Sequence, residues 1–141
     1  MISLPDVNVW IALAIAEHVH HDAAQAWLDT SQGPIVFCRV TQMGLLRILT
    51  NRHALGSDTL SPPLAWGAFD AFLRNSRISI SEEPSGLDHH WRTATTREKH
   101  GSNWWTDTYL AAFASVSGFT LVTFDAQLAV RRNVSTRLLR T

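Results

Sequence analysis

The chain has 141 residues, of which 45% are hydrophobic and 17% charged, and its formal net charge is zero. This length and composition predict one compact domain over residues 1–141, and the balanced charge neither demands nor excludes a nucleic-acid partner. The sequence shows no membrane-spanning apolar run and no secretory signal, so we expect a soluble, cytoplasmic protein. The single cysteine, Cys38, lies in an apolar stretch, which excludes a disulfide framework and predicts a buried thiol.

Short apolar runs alternate with amphipathic stretches along the chain, a pattern typical of an α/β domain. Four runs predict buried parallel strands, at Ile2 to Leu4, Ile35 to Cys38, Ile78 to Ile80 and Thr120 to Phe124. The other segments predict helices, at Val9 to Ala16, Asp22 to Asp29, Thr41 to Leu49, Leu64 to Leu73, Leu87 to Arg97, Thr106 to Ser117 and Ala126 to Arg132. Helical crossovers cover both faces of a parallel sheet, so we expect a three-layer α/β/α sandwich with a short central parallel sheet.

Two aspartates directly follow predicted strands. Asp6 comes after the first strand and Asp125 after the fourth. Because ligands collect beyond the carboxyl ends of the strands in open α/β sheets, we expect both carboxylates to face one crevice. An aspartate at such a junction is also a favoured helix N-cap. Asn8 is able to cap the first helix in place of Asp6, which would leave the Asp6 carboxylate without a structural task, whereas Asp125 has no such substitute beside it.

Two further polar residues lie on predicted helices. Asp107 falls in the first turn of an apolar helix for which Thr106 is the natural cap, and an acid in this turn also suits the helix dipole. Gln42 shares a helical face with three leucines, so its amide is expected to point inward, where it needs a hydrogen-bond partner. A satisfied core glutamine explains this position as well as a functional residue does.

The acids themselves indicate a metal. Clustered carboxylates repel one another unless a cation neutralises them. Aspartate oxygens without cysteine or paired histidine suit Mg²⁺ or Mn²⁺, and such an ion activates water and stabilises charge on a phosphate. The sequence therefore predicts phosphodiester hydrolysis. The turn His18-Val19-His20-His21 does not favour zinc, because neighbours in a loop rarely converge on one ion.

Four segments together resemble the motifs of the PIN domain, in order and in spacing. They are Leu4 to Asn8, Thr41 to Asn51, Trp105 to Ala112 and Leu121 to Asp125. The resemblance covers nearly the whole chain, and the length is similar to that of the VapC toxins of VapBC toxin–antitoxin pairs. It implies a Mg²⁺- or Mn²⁺-dependent endoribonuclease that acts on structured RNA such as transfer RNA. It also implies a homodimer and a VapB-like antitoxin that silences the toxin.

The resemblance assigns roles residue by residue. Asp6, Asp107 and Asp125 match the metal-binding acids of the family. Thr123 matches the small hydroxyl residue that often precedes the last acid by two positions, and Asn8 matches the polar position two after the first acid. Both are supporting residues.

Gln42 matches the fourth catalytic position of the family but departs from its usual glutamate. Three negative ligands then stand where four are typical, so we expect one metal at moderate affinity and a second one only when RNA phosphate recruits it. The oxygen of Gln42 is still able to bind a hard cation as a neutral ligand or to hold a bound water. The departure leaves open a second reading, a PIN-like module that binds RNA or protein and has lost catalysis. A phosphatase with Asp6 as nucleophile is disfavoured, because Asn8 replaces the second acid of the D-x-D pattern and Gly-rich phosphate loops are absent.

Basic and aromatic residues supply candidate RNA contacts. After Asp125 no acid remains, and the arginines that follow give the last sixteen residues a local charge of plus four. Solvation near a helix C-terminus explains such a tail equally well. Trp104 and Trp105 adjoin Asp107 in a predicted loop, where a ring could stack on an unpaired base, while Trp27 and Trp66 are expected in the core. The RNA-binding candidates are Arg47, Trp104, Trp105, Arg131 and Arg132.

Overall fold

A computed structural model of the protein describes residues 1–96, 101–129 and 134–140. Its strands are β1 (Ser3–Pro5), β2 (Ile35–Phe37), β3 (Ile78–Ile80), β4 (Thr120–Thr123) and β5 (Thr136–Leu138). Its helices are α1 (Val7–Ala14), α2 (His21–Thr30), α3 (Arg39–Leu49), α4 (Arg52–Leu55), α5 (Pro62–Leu73), α6 (Leu87–Ala94), α7 (Trp104–Ser117) and α8 (Ala126–Ala129), with a 3₁₀ turn at Gly56–Asp58. Within those ranges no helix is both long and apolar enough to cross a membrane.

The strands form one parallel sheet in the order β3-β2-β1-β4-β5. The chain thus builds the sheet outward from β1 in one direction, through β2 and β3, and then returns to add β4 and β5 on the other side. Pro5 of β1 stands opposite Val122 of β4, and the Asp6 amide donates to the Val122 carbonyl at 2.9 Å. A reversal of strand order opens a crevice at the carboxyl ends of the strands, here between β1 and β4.

Helices cover both faces of the sheet. On one face, Ile35 and Phe37 of β2 enter a core with Trp10 of α1, whose ring stacks on Phe37 with centroids 3.7 Å apart. On the other face, Val36 of the same strand enters a second core with Phe113 of α7. Successive residues of one strand serve opposite layers, as the alternation of side chains in a strand requires. The predicted three-layer α/β/α sandwich is confirmed.

Five helices, α1, α2, α3, α5 and α7, begin one or two residues earlier than predicted, and in two of them the capping residue also differs. α1 starts at Val7 because Asp6, not Asn8, is its N-cap. α7 starts at Trp104 with Asn103 as N-cap, and the Asp107 amide already donates to the Asn103 carbonyl at 2.9 Å. The expected cap at Thr106 is therefore wrong, and the two tryptophans open a helix rather than end a loop. The predicted helix ends at Arg97 and Arg132 lie outside the described residues.

Two short elements of the structure, β5 and α4, were not predicted from the sequence. Within the described residues, both expose much of their surface. Cys38 and Trp27 are buried as predicted. Trp66 is 49% exposed, so its expected place in the core is wrong. It lies on the outer side of α5, where only Phe69 is within ring-contact distance among the described aromatic rings.

Candidate active site

Asp6 lies at the junction of β1 and α1 and is buried, with 6% of its surface exposed. Its Oδ1 accepts hydrogen bonds from the amides of Asn8, at 3.0 Å, and Val9, at 3.3 Å, which are free donors of the first helical turn. Asn8 is therefore not the N-cap of α1. Its backbone amide is one of the donors that Asp6 caps, and its side chain is exposed. The expectation that the Asp6 carboxylate lacks a structural task is wrong, since one of its oxygens caps α1.

The Thr123 hydroxyl links the ends of β1 and β4. Thr123 is fully buried, and its Oγ1 donates to Oδ2 of Asp6 at 2.5 Å. The same oxygen accepts from the Asp125 amide at 2.9 Å. Asp125 is half-buried, and its Oδ1 accepts from the Gln127 amide at 2.9 Å. One hydroxyl therefore fixes both the orientation of the first acid and the backbone of the second.

Burial raises the pKa of Asp6 from 3.8 to about 6. This value includes a smaller rise from the negative charge of Asp107 on α7 and a lowering by the hydrogen bonds from Thr123, Val9 and Asn8. Asp107 is half-buried and lies close enough to Asp6 for the two carboxylates to repel. The fold therefore brings Asp6, Thr123 and Asp125 into one network and places Asp107 within electrostatic reach.

The donor chemistry of this edge fits a hydrated hard cation. A divalent ion would relieve the burial of charge at Asp6 and its repulsion with Asp107. Among the described residues no three His, Cys, Asp or Glu side chains are placed to hold an ion directly. Mg²⁺ commonly keeps several waters and is bound through one or two carboxylates. The acids suit that mode of binding rather than a closed cage of protein ligands.

Gln42 lies in the first half of α3 and is 4% exposed. Its Oε1 accepts a hydrogen bond from Nη1 of Arg39, one turn earlier, at 2.5 Å. The partner that a buried amide needs is thus an arginine of its own helix. Sequence reasoning missed this role of Arg39, although the spacing of three residues was a usable signal.

The candidate RNA contacts differ in their accessibility. Trp104 is 7% exposed and packs in the interior, so the stacking role predicted for it does not fit. Trp105 is 50% exposed and meets Trp91 and Trp104 edge-on, with ring centroids 5.9 and 4.8 Å away. Arg47 is exposed on α3. Arg131 and Arg132 fall outside the described residues.

The histidine-rich turn between α1 and α2 approaches the site through Phe124. The His20 ring stacks on the ring of Phe124, with centroids 4.5 Å apart. Phe124 lies between Thr123 and Asp125 in the sequence. The Nδ1 atom of His18 accepts from the His20 amide at 3.0 Å, and burial lowers the pKa of His18. The turn packs beside the site, a role that sequence reasoning did not assign to it.

A parallel α/β/α domain with acids at its strand-order reversal is the class that the fold and the site define. Residues 3–133 match the PIN domain family, and the chain belongs to that family. Within it, the chain is 48% identical to ribonuclease VapC41 of Mycobacterium tuberculosis over 143 residues, which cover 96% of this chain and 97% of the relative. It is 32% identical to ribonuclease VapC29 of the same organism, over 92% of this chain and 90% of that one.

Solved structures agree in fold. VapBC2 from Rickettsia felis, bound to a DNA fragment from its promoter, matches with a TM-score of 0.69 at 16% identity, over 99% of this chain and 100% of that one. VapC20 of Mycobacterium tuberculosis, a toxin that cleaves the sarcin–ricin loop, matches with a TM-score of 0.68 at 15% identity, over 90% and 92%. The resemblance to PIN-domain VapC proteins is confirmed by the family match and by the relatives.

Proposed function

We propose that the protein is a metal-dependent endoribonuclease and the toxin of a type II toxin–antitoxin pair, with Asp6, Asp107 and Asp125 at its active centre. The supporting observation is the environment of Asp6. Its carboxylate is buried, its pKa is raised to about 6, a second acid lies nearby, and one hydroxyl links it to a third. The relatives VapC41 and VapC29, at 48% and 32% identity, carry the name ribonuclease.

In this proposal the three aspartates would hold hydrated Mg²⁺ or Mn²⁺, directly or through the waters of the ion. Such an ion would supply an activated water and stabilise charge on the scissile phosphate. Asp6 would serve as the principal ligand through Oδ2, because Oδ1 accepts from two amides of α1 whereas Oδ2 accepts from the Thr123 hydroxyl alone. Thr123 orients that oxygen, and its second bond holds the backbone of Asp125 in place. We expect one metal at moderate affinity in the absence of RNA.

The proposed substrate is structured RNA with an unpaired loop, such as transfer RNA. The exposure of Trp105 supports an unpaired loop as the substrate, because half of its ring is open to solvent. Two other tryptophan rings contact it edge-on, and it lies two residues before Asp107. Unpaired bases stack on aromatic rings of this kind. We assign Arg47, Arg131 and Arg132 to the RNA backbone, because basic side chains neutralise the charge of phosphates.

The proposed partners are a VapB-like antitoxin and a second copy of the chain, in the cytoplasm. Several similar structures are VapBC complexes, which supports the antitoxin. Large apolar side chains on α3 and α5 are exposed in the described chain and would be covered in such assemblies. They are Met43, Leu64 and Trp66.

A specific observation favours the alternative, a PIN domain that binds without cutting. The oxygen of Gln42 is already engaged by Arg39 and contributes no charge to the site. If four acids were needed for catalysis, this chain would lack one of them.

Cleavage of total RNA and transfer RNA by the purified protein in Mg²⁺, Mn²⁺ or EDTA tests the proposal. We expect discrete products that require metal and disappear in Asp6→Asn. The matched control is Asp70→Asn, which removes an equal charge from an exposed position on α5. Intact RNA with wild-type protein in every metal would reject the proposed activity and favour the binding module.

A further inference from the structure

Arg39 and Gln42 lie in the first turns of α3, at the same edge of the sheet as Asp6. α3 begins directly after β2, and β2 pairs in parallel with β1, so the start of α3 and the end of β1 share that edge. The two helices also approach closely. A Cβ placed on Gly44 of α3 would lie 2.5 Å from Cγ2 of Val7, the residue after Asp6. The start of α3, which carries the pair, therefore lies at the same edge of the sheet as the acidic crevice.

The contact with Arg39 fixes the orientation of the Gln42 amide. A guanidinium group donates hydrogen bonds and accepts none, so the atom 2.5 Å from its Nη1 is the amide oxygen. The Nε2 group, which carries two donors, then occupies the other side of the amide. Because Gln42 is only 4% exposed, the side chain has little freedom to rotate away. Gln42 thus has two N–H donors on Nε2 that remain available, whereas its oxygen is already bonded to Arg39.

The same contact makes Gln42 a poor metal ligand. An ion on its oxygen would stand beside the guanidinium of Arg39, and two cations sharing one small neutral ligand repel each other. Arg39 is exposed, and within the described ranges it forms no salt bridge with an acid. Its positive charge is therefore available at an edge where three carboxylates would otherwise repel a phosphate.

We propose that Arg39 and Gln42 form a phosphate-binding pair for RNA and that Gln42 does not bind the metal. The remaining N–H groups of Arg39 and the Nε2 group of Gln42 donate to non-bridging oxygens of an RNA phosphate. This inference rests on the proposed ribonuclease function and states which part of the substrate the two residues recognise. It also explains the neutral residue, because a carboxylate at position 42 would pair with Arg39 and repel the phosphate.

Two binding measurements separate a phosphate contact from a metal ligand. One is the affinity for a fluorescent transfer-RNA fragment in EDTA, and the other is the affinity for Mn²⁺ without RNA. We expect Gln42→Met and Arg39→Gln each to weaken RNA binding by about tenfold, the value of one charge-assisted hydrogen bond. Mn²⁺ affinity should stay within about twofold in both variants, since neither residue is a ligand. Arg74→Gln, an equal loss of charge at the far edge, should change neither.

A single variant and a double variant, which add an acid at position 42 with and without Arg39, sharpen the test. Gln42→Glu alone should leave Mn²⁺ affinity nearly unchanged, because Arg39 would neutralise the new acid. The double variant Arg39→Gln with Gln42→Glu should bind Mn²⁺ about tenfold more tightly, because the acid is then free to act as a ligand. A loss of about tenfold in Mn²⁺ affinity in Gln42→Met, with RNA binding unchanged, would overturn the inference. Retention of cleavage by Asp6→Asn would instead reject the ribonuclease site, whatever these affinities are.

Discussion

Asp6 and Arg77 are charged side chains at opposite edges of the same sheet, and the fold treats them differently. Arg77 precedes β3 at the amino edge, and its guanidinium donates to the carbonyls of Leu28 and Ser31, each at 2.7 Å. These carbonyls lie at the C-terminal end of α2, where helices leave acceptors unpaired and attract positive charge. Arg77 thus completes a helix end and ties α2 to the sheet.

At the carboxyl edge, Asp6 also makes hydrogen bonds, but they do not offset its burial. Its pKa remains raised to about 6 because desolvation outweighs the bonds from Thr123, Val9 and Asn8. The guanidinium of Arg77 is hydrogen-bonded to two carbonyls that need donors. The ionised carboxylate of Asp6, in contrast, lowers the free energy of unfolding, because its hydrogen bonds do not compensate for its burial. The difference supports the proposal that Asp6, besides capping α1, binds a ligand, whereas Arg77 serves the structure.

The largest effect that this contrast predicts is that of Asp6→Asn, which should lower RNA cleavage by about a thousandfold or more. The same change should stabilise the metal-free protein by about 1–2 kcal/mol at pH 7.5, where the buried carboxylate is charged. Because the folded pKa of Asp6 is above the unfolded one, the contribution of Asp6 to wild-type stability falls as pH rises from about 4 to about 6. Urea unfolding in EDTA at pH 4 and 7.5 checks this, and equal or lower stability of the variant at pH 7.5 would break the contrast.

The next effect concerns the hydroxyl that orients Asp6. Thr123→Val keeps the shape but removes both the donor to Asp6 and the acceptor for the Asp125 amide. We expect cleavage to fall by about ten- to a hundredfold, as is typical when a group that orients a metal ligand is lost. Thr123→Ser, which keeps the hydroxyl, should retain most of the activity. Cleavage rates at saturating metal measure the difference, and full activity of the valine variant would exclude the orienting role.

A smaller effect is expected at the other edge. Arg77→Met leaves the carbonyls of Leu28 and Ser31 without their donor, so the free energy of unfolding should fall by about 1–3 kcal/mol. Cleavage per folded molecule should not change, since Arg77 lies at the opposite edge of the sheet. Arg74→Met, at an exposed position nearby, is the control and should shift stability by less than about 0.5 kcal/mol. A loss of cleavage in folded Arg77→Met protein would show that the two edges are coupled.

Sequence patterns predicted more of the fold than of the site. Buried strands and strand-end acids are local signals, so β1, β4, Asp6 and Asp125 were placed without the structure. The edge strand β5 was missed, because Thr136 to Leu138 is short and partly exposed and lacks a continuous apolar run.

The geometry of the site depends on contacts that local patterns do not encode. The approach of Asp107 to Asp6 requires α7 to pack beside the end of β1, and the bond between Thr123 and Asp6 joins residues 117 positions apart. Burial of Gln42 was predicted from its helical face, but its partner was not, because the pattern of a helical face does not show which side chain bonds the buried amide. The cap of α1 was assigned to the wrong residue because Asp6 and Asn8 are both good capping residues.

Calorimetric titration of Mn²⁺ into the metal-free protein tests the central claim most directly, with the wild type and Asp6→Asn compared at pH 6 and pH 8. An ion must displace any proton on Asp6, so binding to the wild type at one site should release about half a proton at pH 6 and almost none at pH 8. Buffers with different ionisation enthalpies give this number. Asp6→Asn should not bind measurably. Equal Mn²⁺ affinity in the two proteins, or binding without proton release at pH 6, would contradict the assignment of Asp6 as the metal ligand.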